Sequence, residues 1–238
     1  MGNSTAPLVF IPARGGSKSI KKKNLVDLAG SPLIDYCIRA VLSTDGVGQI
    51  ICSTDSKEII DRAAHFGIDV DERPPELGGD DIKVRDVVGE FITRECIVSE
   101  WVVLVQPTSP FLLPQHIMSL IRTAKLAVGA VTAQNIVKVP HNFHAWSQRR
   151  FQTGRVVFIN KEQRLAAYNK QRKPDLYKFG NLVMARCDHI TSGGDFFDEE
   201  SVGELIISPY DFDLDGPEDL PMAETLISAS LVDLPHMK

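Results

Sequence analysis

The sequence predicts an α/β fold built on a doubly wound, mostly parallel sheet with a small insertion arm. Three observations predict it. Apolar runs at 8–13 and 101–106 lack the polar alternation of a half-exposed strand, so their sheet is covered on both faces. Such runs alternate with segments of helical period through the first half of the chain, the pattern of βαβ units. Polar clusters follow the runs directly, at 14–18, 53–55 and 106–109. Those positions lie beyond the carboxyl ends of the strands, where open α/β sheets bind ligands.

The elements follow in order. Residues 8–13 form the first strand and 32–42 a helix, with Ser31 as N-cap and Pro32 at the first helical position, where its missing N–H costs nothing. Residues 49–53 form a second strand, followed by a helix over 56–66 that Gly67 ends. Residues 82–98 carry helical period, 101–106 form a third strand, 114–124 a helix and 127–132 a fourth strand. From 134 to 178 the period is lost, although 156–159 has strand character. The core therefore comprises 1–134 and 179–238, and 135–178 is an insertion arm in which Phe143, Trp146 and Phe158 are expected to be buried. Residues 180–185 and 205–208 return as strands, and 217–230 forms the last helix.

Composition narrows the function. The chain has 238 residues, is 43% hydrophobic and 24% charged, and carries a net charge of −5. It lacks the basic face of a nucleic-acid binder, and no apolar run is long enough to span a membrane. The N-terminus has no signal-peptide pattern. Cys37, Cys52, Cys96 and Cys187 are widely spaced in apolar settings. They read as buried thiols of a cytoplasmic protein rather than disulfides or a metal site.

Two constellations carry chemistry. The first strand empties into Ala13-Arg14-Gly15-Gly16-Ser17-Lys18, followed by Lys21-Lys22-Lys23-Asn24. Glycines let the backbone approach a ligand and turn N–H groups toward it, while arginine and lysine add permanent positive charge. A solvated basic turn would explain the lysines but not Arg14 to Ser17 directly after a buried strand. The loop suits a polyphosphate. It has neither the G-x-x-x-x-G-K-[ST] order of P-loop enzymes nor the G-x-G-x-x-G of dinucleotide folds.

The second constellation is Asp211-Phe212-Asp213-Leu214-Asp215-Gly216-Pro217-Glu218-Asp219. In a strand, residues two apart share a face, so Asp211, Asp213 and Asp215 would line one side. Their repulsion calls for a divalent cation, and oxygen ligands suit magnesium. The competing reading is an acidic lead into a helix, but a cap needs one acid. Asp213 and Asp215 are the stronger metal candidates. His141 and His144 read as surface residues of the arm.

On these residues the chain resembles the cytidylyltransferases that activate sialic acid and related acid sugars. The resemblance rests on Ala13-Arg14-x-x-Ser17-Lys18 with Lys23-Asn24-Leu25, on Ser53-Thr54-Asp55, and on Arg73-Pro74-x-Glu76-Leu77-x-x-Asp80. It continues through Gln106-Pro107-Thr108-Ser109-Pro110 and Asp213-x-Asp215 with Asp219 and Ala223-Glu224. It implies a Rossmann-like, nucleotide-diphospho-sugar-transferase-like fold, CTP as co-substrate, Mg2+, a 2-keto-3-deoxy acid sugar as nucleophile, release of pyrophosphate, and a homodimer.

The resemblance also implies roles. Arg14, Lys18 and Lys23 would be catalytic, holding the triphosphate and stabilising charge at the α-phosphate. Ala13, Gly15, Ser17, Asn24, Arg73, Gly79 and Asp80 would bind the nucleotide. Gln106, Thr108, Ser109, Arg172 and Asn181 would face the sugar, and Asp213 and Asp215 would hold the metal. The sugar half departs from the pattern: Phe179-Gly180-Asn181-Leu182 reverses the family's order of asparagine and glycine. A nucleotidyltransferase using another triphosphate or a sugar 1-phosphate, such as a guanylyltransferase, is one alternative. A catalytically silent sugar-nucleotide-binding protein is the other.

Overall fold

The structure, a computed structural model, describes residues 6–79, 81–167 and 169–238. The first strand, β1 (Leu8–Pro12), leads through a 3-10 turn at Lys23–Leu25 to the short pair β2 (Asp27–Leu28) and β3 (Ser31–Pro32), then helix α1 (Leu33–Leu42). Next come β4 (Ile50–Thr54), α2 (Lys57–His65), β5 (Asp69–Glu72), α3 (Val84–Arg94), β6 (Trp101–Leu104), α4 (Pro114–Leu126) and β7 (Thr132–Lys138). The hairpin β8 (Arg149–Gln152) and β9 (Arg155–Phe158) precedes α5 (Lys161–Ala166) and β10 (Tyr177–Arg186). The chain closes with α6 (Cys187–Thr191), β11 (Val202–Leu205) and α7 (Asp219–Ser228).

The main sheet has the order β11-β7-β10-β6-β1-β4-β5. β1 runs parallel to β4 and β6, β4 to β5, and β7 to β11; β10 runs antiparallel to both β6 and β7. All strands of this sheet except β10 therefore share one direction, and their carboxyl ends form a single edge. Residue alternation divides the core. Val9 and Ile11 pack with Ile34, Ile38, Ile59 and Leu120 of α1, α2 and α4 on one face. Leu8 and Phe10 pack with Val88, Phe91 and Ile190 of α3 and α6 on the other. The sheet is thus doubly wound, and the lack of alternation in β1 and β6 reflects burial on both sides.

A third apolar cluster joins the C-terminal segment to the rest: Leu214, Ala223, Val232 and Leu234 pack on Leu28, Leu33, Tyr36 and Phe111. Between α1 and α2, Arg62 donates to both carboxylate oxygens of Asp35, which is buried. Among the described residues no helix is long and apolar enough to cross a membrane.

Several boundaries differ from the sequence reading, each for a local reason. Ser31 and Pro32 pair with β2 instead of opening α1, because Ala29 and Gly30 take positive φ and fold the pair into a tight turn. The expected fourth strand at 127–132 is a turn through Gly129 (φ +80), and the strand is Thr132–Lys138. β5 is a charged edge strand that apolar periodicity does not reveal. α3 stops at Arg94, and Cys96 beyond it takes φ +52 and is exposed, unlike the buried Cys37, Cys52 and Cys187. Residues 212–215 are not a strand, and β11 ends before them.

Between β7 and β10, Phe143 is 65% and Phe158 36% exposed, whereas His144 is buried with its Nε2 3.0 Å from the carbonyl of Pro174. This reverses the expectation for Phe143, Phe158 and His144, whereas Trp146 is half-buried. β8 and β9 add too little apolar surface of their own to enclose side chains.

Replacing Phe10, fully buried against Phe91 at 5.3 Å between ring centroids, by alanine should cost about 3–5 kcal/mol through lost contact and a cavity. A lowered urea midpoint with an unchanged slope would show it.

Candidate active site

The basic loop, the polar clusters that follow the parallel strands and the acidic segment reach the same sheet edge. The loop after β1, Asp55 after β4, Arg73 after β5, Gln106 to Ser109 after β6, and the acidic segment beyond β11 all leave carboxyl ends of parallel strands. The loop after β1, Arg73 and the Gln106–Thr108 stretch, together with Leu77, Gly79, Ile82, Val84 and Val87, enclose a cleft of ≈ 450 Å³, and Asp213 and Asp215 lie beside it, next to Lys23 and Thr108, without lining it. Arg14, Gly16, Ser17, Lys18, Lys23, Asn24, Arg73, Gly79, Gln106 and Thr108 line it, and Leu77, Ile82, Val84 and Val87 form an apolar wall.

The basic loop is held in shape by its backbone. The N–H of Ala13 continues the β1–β4 pairing to the carbonyl of Ser53 at 2.9 Å. The methyl group of Ala13 is buried, so only its main chain can face a ligand. The N–H of Gly15 donates to Asp55 Oδ1 at 2.6 Å, and a Cβ at Gly15 would lie 2.8 Å from that of Ser56. Glycine is therefore required here for close approach. Asn24, largely buried, donates from Nδ2 to the carbonyl of Arg14 at 2.9 Å, closing the loop on itself. Arg73 donates from Nη2 to the carbonyl of Ser53 at 3.0 Å. Burial lowers its pKa from the ordinary arginine value, opposed by Asp55 and Asp71.

Lys23 joins the two constellations. Its Nζ donates to the carbonyl of Leu214 at 3.1 Å and lies 3.9 Å from Asp215 Oδ1. From the other side the N–H of Leu214 donates to the carbonyl of Thr108 at 2.8 Å, and the Thr108 side chain works to lower the pKa of Asp213. Asp213 has an exposed edge yet is crowded by its neighbours. Lost hydration, with Asp215 and Asp219 nearby, holds its carboxyl above the usual range against Thr108 and Lys23. Asp219 accepts the N–H groups of Asp215 and Gly216, each at 2.8 Å.

Other expected residues lie elsewhere. Ser109 is buried, 2% exposed, behind the cleft wall. Arg172 sits in a 3-10 turn of the segment between β7 and β10 and does not line the cleft. Asn181 is buried, with its amide engaged by His116, Asn135 and the carbonyl of Tyr210. It is thus an interior residue that does not line the cleft. Asp211 does not share a face with Asp213 and Asp215; it pairs with Lys178 at 2.7 Å. Asp80 lies outside the described residues.

Sequence reasoning assigned no role to Asp55 or to the apolar wall. The wall's signal was the run Ile82, Val84, Val87, read only as a helix face.

With this geometry in place, comparison with known proteins is specific. Residues 8–191 match the family model described as Cytidylyltransferase. The CMP-N,N'-diacetyllegionaminic acid synthase of Legionella pneumophila is 31% identical over 233 residues, covering 92% of this chain and 95% of that protein. The pseudaminic acid cytidylyltransferase of Campylobacter jejuni is 26% identical over 179 residues, 72% of each chain. N-acylneuraminate cytidylyltransferase A of Danio rerio is 37% identical over 160 residues, and the match spans only 35% of that longer protein. A solved CMP:2-keto-3-deoxy-manno-octonic acid synthetase complexed with CTP superposes with a TM-score of 0.72 at 16% identity, covering 94% of this chain and 99% of that one. At that identity the superposition establishes the fold, while the family match and the full-length relative establish membership. The chain belongs to the cytidylyltransferase family, and it is a nucleotidyltransferase.

Proposed function

We propose that the chain activates a 2-keto-3-deoxy acid sugar of the sialic, legionaminic or pseudaminic type with CTP, giving the CMP-sugar and pyrophosphate. The observation that carries this reading is the position of Lys23, which lines the same cleft as Arg14 and Lys18 while touching Leu214 and Asp215. A triphosphate laid along the Arg14–Lys18 loop would bring its α-phosphate toward Lys23. The sugar hydroxyl oxygen then bonds to that phosphorus as the bond to pyrophosphate breaks, and the hydroxyl proton passes to water. Charge growing on the phosphate oxygens is met by cations already in place, commonly the largest catalytic term. The apolar wall from Leu77 to Val87 suits the flat base, and Gln106 the sugar.

Asp213 and Asp215 fit a magnesium ion. They are hard oxygen donors close enough that Asp215 helps raise the Asp213 carboxyl, a repulsion that a divalent cation relieves. Magnesium usually takes one or two carboxylates and completes its shell with water and phosphate. Bound there, it would neutralise phosphate charge.

The arm expected at 135–178, whose ends belong to β7 and β10, would serve in dimerisation through residues 139–176. β8 and β9 form an isolated two-stranded sheet with Phe151 74% and Val156 62% exposed. These two are cross-strand partners, and an uncovered ribbon of this size is marginal in water. The same reading places the protein in the cytoplasm. Burial pushes the Cys52 and Cys187 thiols up to about 12.

Pyrophosphate release should occur with CTP and an acid sugar and not with ATP, GTP or UTP; activity confined to GTP would exclude the proposal. Lys23→Gln should lower kcat about 10²–10³-fold with an unaltered melting temperature, and full activity would remove Lys23 from the chemistry. Because the folded-state pKa of Asp213 is raised, the native state holds this proton to higher pH than the unfolded chain, so the group favours folding at low pH and loses that contribution as pH rises through the carboxylate range. Asp213→Asn should therefore melt above the native protein at pH 7, and the gain should vanish in acid. Phe151→Asp should convert a dimer to a monomer in sedimentation; a native monomer would reject the arm's role.

A further inference from the structure

Three polar residues occupy a place where apolar ones would be expected. Asn135 of β7 is 0%, Asn181 of β10 1% and His116 of α4 9% exposed. Buried polar groups are costly unless hydrogen-bonded, and here the bonds follow a strict order. The carbonyl of Tyr210 can only accept, so the Asn181 atom 2.8 Å from it is the amide nitrogen. The second hydrogen of that nitrogen faces His116 Nδ1 at 3.1 Å, which must then be unprotonated. The N–H of Leu113 approaches the same Nδ1 at 3.3 Å. Asn181 Oδ1 in turn accepts from Asn135 Nδ2 at 3.0 Å. Burial lowers the pKa of His116 to about 4, which keeps its ring an acceptor at neutral pH.

The object held by this network is the start of the acidic segment. Tyr210 is gripped at its carbonyl by Asn181, at its ring by His116 (5.5 Å, edge-on), and at its hydroxyl, which accepts from the N–H of Asp233 at 3.1 Å. Three residues later stands Asp213, and five later Asp215. His116 also belongs to the first turn of α4, directly after the loop that carries Gln106 and Thr108. One contact therefore fixes both the loop that bonds Leu214 and the segment that presents the carboxylates.

We propose that His116 and Asn181 are a positioning pair that sets Asp213 and Asp215 against Lys23 for divalent-cation binding. This rests on the nucleotidyltransferase reading of the cleft. Neither residue lines the cleft, so both act through the Tyr210 carbonyl and the backbone that follows it.

The test measures Mn2+ uptake by electron paramagnetic resonance with CTP present and no sugar, beside CTP binding in chelator. His116→Leu should weaken Mn2+ binding about 10–100-fold, the range found when residues that orient metal ligands are changed, and leave metal-free CTP binding unchanged. His116→Asn, whose amide oxygen can stand in for Nδ1, should restore most of the Mn2+ affinity. If His116→Leu does not fold, the near-isosteric Asn181→Asp, which removes both donors, should give the same selective loss. Native Mn2+ affinity in the variants, or equal loss of CTP and Mn2+, would overturn the pair alone. Absence of CTP-dependent Mn2+ uptake in the native protein would overturn the reading of the cleft itself.

Discussion

The site depends on two distant stretches of chain meeting across one sheet edge. Lys23, eleven residues beyond the end of β1, must reach a carbonyl contributed by Leu214. Its ion pair with Asp215 spans 3.9 Å, and that carboxylate is 83% exposed, so water screens most of the attraction. The hydrogen bond to Leu214 is the better-defined contact, because a carbonyl in a fixed main chain accepts from one direction. Lys23 is therefore placed by the fold rather than held by charge. A cation positioned in this way meets growing negative charge without reorganising, which is the condition for electrostatic catalysis.

Fixing Leu214 falls to hydrophobic packing. Its side chain is buried among Leu28, Leu33, Tyr36 and Phe111 while the acids on either side are exposed. The burial of one leucine thus sets the direction of two carboxylates. On the opposite wall, Ala13 and Ile20 reach the core on either side of the glycine loop, but Gly15 and Gly16 have no side chain to do so. The loop's shape comes from Asp55 holding the N–H of Gly15 and Asn24 holding the carbonyl of Arg14. One half of the site is positioned by apolar contact and the other by polar groups turned inward on the backbone.

This division explains what could be read from sequence. β1, β6, the basic loop and the acidic segment were legible because their signals are local: an unbroken apolar run, glycines beside cations, acids close together. β7 was misplaced because Thr132-Ala133-Gln134-Asn135 looks like a surface stretch, although Asn135 lies at the bottom of a buried network. Asn181 was read as a ligand contact for the same reason, since sequence does not tell an asparagine bonded to a histidine 65 positions away from one facing solvent. Cys96 follows an α3 that periodicity made too long, and its left-handed backbone, not its hydropathy, decides its exposure. The aromatics of the 139–176 segment need a covering surface that its own short elements do not supply.

The acidic segment shows how four aspartates so close together are compatible with a stable fold. A strand would have aligned Asp211, Asp213 and Asp215 and added their repulsion. The irregular path separates them instead. Asp211 is turned to Lys178 and nearly buried, with its pKa lowered, as Lys178 and Ser208 outweigh the opposing effect of burial. Asp219 is turned to the N–H groups that lead into α7, a favourable place for an anion. Two of the four aspartates thus act as struts for the backbone. Asp213 and Asp215 remain beside Thr108 and Lys23, with Asp213 held in an environment that disfavours its charge. A carboxylate in that condition gains more from a nearby cation than one already satisfied by the protein.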